Sequence, residues 1–228
     1  MSNDLIVIAG ASGELGTLPM YRKQFAAAGI PLCIADISDR PNTNGGGNLG
    51  YRVKVFRQYA AIYSDYRFII FSDAFDVTFY GSKDDVLDKI PTTHLLHAAE
   101  KNCYPDHNIA ARIPGDHPYR FANGGIVAGT PDSYIRWCDE AERHPQYNPL
   151  MLDQEFLNIL VSEQSHLGVI DCDTELFFCL YGGYENLEFY RGLPTNTLYE
   201  THPNFVHANG RWTAHEMFDR YERSLASE

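Results

Sequence analysis

The stretch RFIIFSDAFDVTFYG, Arg67 to Gly81, ends an unbroken apolar run in two acids, Asp73 and Asp76. Phe68, Ile69, Ile70 and Phe71 predict a buried strand, and both acids fall at its carboxyl end. Two like charges about 4 Å apart repel by about 4 kcal/mol at an effective dielectric of about 20. A pair of carboxylates on the lip of a core strand therefore calls for an offset, and a divalent cation is the usual one.

The surrounding pattern fixes the fold class. DLIVIAG and PLCIADI are β-rich runs separated by a helix predicted over Leu18 to Ala28, which stops at Gly29. After the glycine-rich segment Arg40 to Gly50, apolar residues at Val53, Phe56, Tyr59, Ala60 and Tyr63 have helical spacing and lead into FIIF. DDVLDKI predicts a short helix before Pro91, THLLHAA and GGIVAG two strands, and Pro131 to Arg143 a helix. DQEFLNILVSEQS reads as helix, LGVID as strand, and TAHEMFDRYERSLA as a final amphipathic helix. Strands alternating with helices predict an α/β fold with a mainly parallel central sheet, taken here as a single domain over residues 1–228. Ligands of such sheets bind beyond the strands' carboxyl ends, where Gly10, Asp73, Asp76 and Asp171 are expected.

Composition narrows the function. A formal charge of −12 argues against chain-wide affinity for nucleic acid or anionic membrane. The N-terminus has no basic segment leading into an apolar one, and no run reaches the roughly 18 apolar residues of a membrane span. Five cysteines without CxxC spacing predict reduced thiols, and with them a cytoplasmic protein.

Two local motifs point elsewhere. GASGELG, Gly10 to Gly16, resembles a dinucleotide-binding turn, but no Tyr-x-x-x-Lys pair follows it. An NAD(P)-binding oxidoreductase built on that loop stays as the more distant alternative. Asp171-Cys172-Asp173-Thr174 has the pattern of an aspartyl-phosphate nucleophile, but no lysine follows it, so that chemistry is excluded.

Taken in order, NGGGNLGYRVK, DAFD, AAEKNCYPD, YRFANGGIVAG, LDQEF and FVHANG resemble the motifs of the glycosyltransferase domain of the procollagen lysyl hydroxylases and related hydroxylysine glycosyltransferases. The resemblance spans roughly residues 5 to 212 and implies a GT-A-type, Rossmann-like nucleotide-sugar fold. It implies that Asp73, Asp76 and His207 hold Mn²⁺, or Mg²⁺, with the one imidazole suiting Mn²⁺ somewhat better. Ala9 and Gly10 would line a uridine pocket with Phe75 against the nucleoside. Arg52 or Lys54 would neutralise the diphosphate, which Asn209, Gly210 and Arg211 would also reach.

The hexose side would comprise Asn123, Gly124 and Gly125, read as a turn, together with Glu100. Asp153 is the implied acid at the reacting sugar, assisted by Gln154. It would be a general base if the anomeric centre inverts, or a charge stabiliser if configuration is retained. The sequence departs from the family where Leu152 replaces an acid, Ala208 a glycine and Tyr104 a tryptophan. The hydroxylase domains of the larger enzymes are not expected.

The resulting expectation is a metal-dependent hexosyltransferase that uses UDP-glucose or UDP-galactose. Its acceptor hydroxyl would lie on hydroxylysine, glycosyl-hydroxylysine, a sugar or a hydroxymethylated DNA base. For DNA, Arg211, His215, Arg220 and Arg223 are the candidate phosphate rim.

Overall fold

The computed structural model describes residues 3–11, 18–39 and 47–210, together with Met217, Asp219 and Arg223. Five strands form the main sheet: β1 (Leu5–Ala11), β2 (Leu32–Asp36), β3 (Phe68–Asp73), β5 (Leu96–Glu100) and β6 (Phe121–Gly129). Their order is β2-β1-β3-β6-β5. β1 pairs in parallel with β2 and β3, while β6 runs against both β3 and β5. Four strands thus share one direction and β6 opposes them, as expected of a mainly parallel sheet.

The apolar runs are continuous because both sheet faces are covered. On β1, Leu5, Val7 and Ala9 enter one core while Ile6 and Ile8 enter the other. β3 divides the same way, Phe68 and Ile70 against Ile69 and Phe71. The first core packs against α1 (Leu18–Ala27). The second is closed by α2 (Leu49–Ile62), α4 (Pro131–Arg143) and α5 (Asp153–Ser162), which follow the short helix α3 (Lys83–Leu87). Helix α4 starts where its sequence says it should. Thr130 and Ser133 form a reciprocal cap, with Pro131 in the first turn, where a missing N–H costs nothing.

A second sheet, in the order β4-β10-β7, joins β4 (Val77–Phe79), β10 (Phe205–His207) and β7 (Phe177–Cys179). β8 (Leu187–Tyr190) and β9 (Leu193–Asn196) form a hairpin. Of these short strands only β10 was foreseen, since NFV, Asn204 to Val206, reads as strand-like. LGVID is not a strand either: it makes one isolated bridge, Ile170 to His97. Asp171 lies away from the strand ends that form the cleft, because its carboxylate accepts the backbone N–H groups of Glu175, Leu176 and Phe177. Asn123-Gly124-Gly125 is no turn but the interior of β6, at an irregularity in its pairing with β5. The predicted terminal helix lies outside the described residues except for Met217, Asp219 and Arg223.

The beginnings of α2 and α5 are laced together. Leu49 and Gly50 donate backbone N–H bonds to Met151 and Pro149, and Asp153 donates to Gly47. Gly50 is bare for this reason, since a Cβ there would lie 2.8 Å from Pro149 Cβ. Leu152 occupies the N-cap position of α5 with no side-chain bond, so the cross-link to Gly47 supplies what a polar cap would. Phe56 anchors this side of the sheet, with ring centroids 4.7 Å from Phe71, 4.9 Å from Tyr134 and 5.6 Å from Trp137. Phe56→Ala is expected to lower the unfolding free energy by about 3–5 kcal/mol, read by urea denaturation. A change below about 1 kcal/mol would show that this cluster does not carry the core.

Candidate active site

Parallel pairing sets Gly10 opposite Asp73, so β1 and β3 end together. The chain then turns, with Ala74 donating its N–H to Gly10 O, and enters β4 immediately after Asp76. β4 pairs antiparallel with β10 in the register Val77 to His207, and Ala208 N–H donates to Asp76 O at 2.7 Å. Two residues far apart in sequence thereby face each other.

Asp73, Asp76 and His207 each offer a ligand atom, and these atoms all lie within 4.8 Å of one another. His207 Nε2 is 3.3 Å from Asp76 Oδ1, within ion-pair range. That oxygen is nevertheless buried with no hydrogen-bond partner among the described residues, and an oxygen left in that state suits a metal ligand. Two hard carboxylates and an imidazole are a donor set that Mn²⁺ or Mg²⁺ accepts.

The ring of His207 is held from behind. Its Nδ1 lies 3.1 Å from Asn123 Oδ1, which also accepts the Gly125 N–H at 2.8 Å. Nδ1 is therefore the donor, and Nε2 is the nitrogen aimed at Asp76. A Cβ on Gly125 would lie 2.3 Å from His207 Cε1, so this glycine provides the imidazole's space. Burial pushes the His207 imidazole down, but the Asp76 charge outweighs it and the net shift is upward. Burial likewise pushes the Asp76 carboxyl up, and His207 outweighs that and holds it below the usual range.

Glu100, at the end of β5 and 2% exposed, joins the remaining motifs. Its carboxylate accepts from the side-chain amides of Asn123 (3.1 Å), Gln154 (2.7 Å) and Asn209 (2.6 Å). Gln154 in turn accepts the Gly124 N–H. Burial raises the Glu100 carboxyl from 4.5 to about 7 despite these bonds.

Asp153, 4% exposed at the start of α5, meets Arg52 from the first turn of α2. Arg52 Nε donates to Asp153 Oδ2 at 2.6 Å, and its Nη2 donates to Gly124 O at 2.5 Å. The other carboxylate oxygen accepts the Gln154 N–H.

These residues surround a cleft of about 450 Å³ that includes Phe75, Gly124, Gly125, Asn209 and Gly210 in its walls. Sharing Arg52, Asp73 and Asp153 with it is a recess of about 80 Å³, with Gly10, Ile37, Tyr51 and Phe71 in its walls. Two expected residues do not join them. Ala9 is fully buried beneath the sheet face. Lys54, with a side chain 62% exposed, pairs with Asp39 outside the cleft. Arg52 does reach the cleft, committed to Asp153. Arg211 lies outside the described residues, as do His215 and Arg220, while Arg223 is exposed. Sequence reasoning missed Tyr51 and Ile37 in the recess and Tyr181 in the cleft. An aromatic placed just before the glycine pair of Tyr181-Gly182-Gly183 was the available signal for the last.

The sheet order, with β6 opposed to its neighbours, and the acid pair at the end of β3 are those of an α/β fold of GT-A type. The chain belongs to the PLOD GT domain family, whose description it matches over residues 5–225. It is similar to procollagen-lysine,2-oxoglutarate 5-dioxygenase of Drosophila melanogaster, 26% identical over 179 residues, covering 71% of this chain and 24% of that protein. It also resembles the multifunctional procollagen lysine hydroxylase and glycosyltransferase of Caenorhabditis elegans, 24% identical, covering 93% of this chain and 31% of the relative. Procollagen-lysine,2-oxoglutarate 5-dioxygenase 2 of Mus musculus is 29% identical over 75% of this chain and 24% of its own length. The chain thus spans about a quarter to a third of these relatives. Among solved structures, a glycosyltransferase involved in glycosylation of the major capsid of PBCV-1 shares the fold. Its TM-score is 0.54 at 12% identity, covering 97% of this chain and 98% of the other. No helix of the described residues is long and apolar enough to cross a membrane.

The raised Glu100 carboxyl has a consequence for stability. An acid whose folded pKa lies above its unfolded value contributes stability in full below about 4.5, and loses it as pH rises through about 7. At about 1.4 kcal/mol per unit, the loss is roughly 3 kcal/mol. Glu100→Gln is expected to flatten the fall in stability between about pH 4.5 and 7.5, read by urea titrations across that range. An unchanged slope would show that Glu100 does not carry this proton.

Proposed function

We propose that this chain is a metal-dependent hexosyltransferase that moves glucose or galactose from a UDP-sugar to a hydroxyl acceptor, residues 1–228 forming one GT-A-like domain. The observation that carries the reading is the convergence of Asp73, Asp76 and His207 in the wall of a cleft that Asp153 also lines. Family membership supports glycosyl transfer, and with it the NAD(P) alternative is set aside. Five free cysteines are in keeping with a reducing compartment.

Asp73, Asp76 and His207 would hold Mn²⁺ or Mg²⁺, which supplies Lewis-acid neutralisation of the leaving diphosphate. Gly10 and the recess beside it suit the nucleoside, while Phe75, Asn209 and Gly210 face the diphosphate side. Asn123, Gly124 and Gly125 border the hexose position, backed by Glu100, whose carboxylate orients the amides of Asn123, Gln154 and Asn209. In the transfer, the bond from the anomeric carbon to the UDP oxygen breaks and its electron pair leaves with UDP. A bond forms to the acceptor oxygen, and the acceptor hydroxyl gives up one proton. Arg52 holds Asp153 in place, positioned for either of two roles: accepting that proton, or stabilising positive charge at the anomeric carbon. Of the two cations considered for the diphosphate, Arg52 acts through Asp153, and Lys54 has no part.

Asp73→Ala and Asp76→Ala are each expected to lower metal-dependent UDP release from UDP-glucose or UDP-galactose at least about 100-fold, with far-UV circular dichroism unchanged. Asp153→Asn is expected to reduce kcat by about 10²- to 10⁴-fold while UDP binding persists. Full activity in both aspartate-to-alanine variants would remove the metal site. Thermal stabilisation by NAD(P) and not by UDP with Mn²⁺ would overturn the donor assignment.

A further inference from the structure

Two aromatic side chains in the cleft walls have no part in the donor chemistry. Tyr104 and Tyr181 are 36% and 40% exposed, and both line the cleft that holds the acids. Tyr181 is fixed in place. Its N–H donates to Asn209 Oδ1 at 3.0 Å, and Asn209 is itself bound to Glu100. Its ring lies over Gly210, where a Cβ would come within 2.3 Å of Tyr181 Cδ2. Gly210 has φ of +90°, a conformation that favours glycine. The chain therefore seats this ring firmly while leaving it open to the cleft. Tyr104 is tethered through its carbonyl, which accepts from Asn158 Nδ2 at 3.0 Å.

The charges on the same walls say what such rings face. Asp73, Asp76, Glu100 and Asp153 are acidic. Apart from His207, the described lining has one basic side chain, Arg52, and it is bound to Asp153 and Gly124 O. A polyanion needs uncommitted cations, and this wall offers none among the described residues. A linear side chain bearing a hydroxyl covers little of two aromatic faces. A pyranose covers one well, its C–H face on the ring and its hydroxyls free for the amide of Asn102, also in the wall.

We propose that Tyr181, with Tyr104, forms an acceptor subsite that takes the apolar face of a neutral pyranoside. The inference rests on the donor reading above and names the acceptor of that same site.

Initial rates with UDP-glucose, UDP-galactose and Mn²⁺ are measured against methyl pyranosides, disaccharides, a hydroxylysyl peptide and a hydroxymethylated oligonucleotide, with donor binding followed by calorimetry. Wild type is expected to favour a pyranoside. Tyr181→Ala is expected to raise the pyranoside KM roughly tenfold, with kcat falling less than about twofold, and Tyr181→Phe to restore the wild-type KM. Tyr181→Asn serves as a second truncation should the alanine variant fold poorly. An unchanged KM in the truncated protein, or preference for the peptide or oligonucleotide, overturns the subsite. Binding of UDP-hexose without transfer to any pyranoside overturns it while the donor site stands. No binding of UDP-hexose at all overturns both.

Discussion

The pairing of β4 with β10 is the constraint on which the site depends. Val77 opposite His207 turns the imidazole toward the carboxylate of Asp76, which comes just before β4. A slip of one residue would send every side chain of β10 to the other face. These strands are three residues each, too short to hold their register by backbone bonds alone. Aromatic packing does that work. Phe79 and Phe205 lie 5.2 Å apart, and Phe25 of α1 sits 4.9 Å from Phe79 and 6.1 Å from Phe205. The spacing of Asp76 and His207 is therefore set by an apolar cluster built on the same two strands.

The acids around the cleft are stabilised by different means. Asp153 has a guanidinium at 2.6 Å. Asp76 is kept ionised by His207 despite burial. Glu100 accepts hydrogen bonds from neutral amides among the described residues, and burial prevails over these and the His207 charge, so its carboxyl rises. Environment thus moves two carboxyl groups of similar chemistry, Asp76 and Glu100, in opposite directions.

The parts of this fold legible in the sequence are those written locally. The uniform apolar run of β3, the 3.6-residue spacing of α2 and the Thr130-Pro131-Asp132-Ser133 start of α4 depend on neighbours a few residues away. The second sheet was hidden because three-residue strands carry no period, and their partners lie far along the chain. Asn123-Gly124-Gly125 read as a turn because glycine pairs usually mark one. Here the strand continues, and Gly125 is small because His207 fills the space where a side chain would go. Arg52 and Lys54 were indistinguishable as positions in a sequence. Once α2 exists they separate, since residues two apart on a helix do not share a face. One reaches Asp153 and the other Asp39. Tyr181 has only the glycine pair after it as a local signal; its setting comes from Gly210, which the fold brings beneath it.

The motifs scattered along the chain make physical sense as one network. The Asn123 amide donates to Glu100, which settles its orientation and turns its oxygen toward His207 Nδ1. His207 Nε2 is then left to face Asp76. Gln154 and Asn209 converge on the same carboxylate, one beside Asp153 and the other beside Tyr181. All three amides donate to its two oxygens, so this position calls for a side chain rich in acceptors. Nε2 of His207, the Asp153 carboxylate and the Tyr181 ring are therefore linked through one carboxyl group, that of Glu100. This is the physical reason that Glu100, Asn123, Gln154 and Asn209 belong together although a hundred residues separate the first from the last.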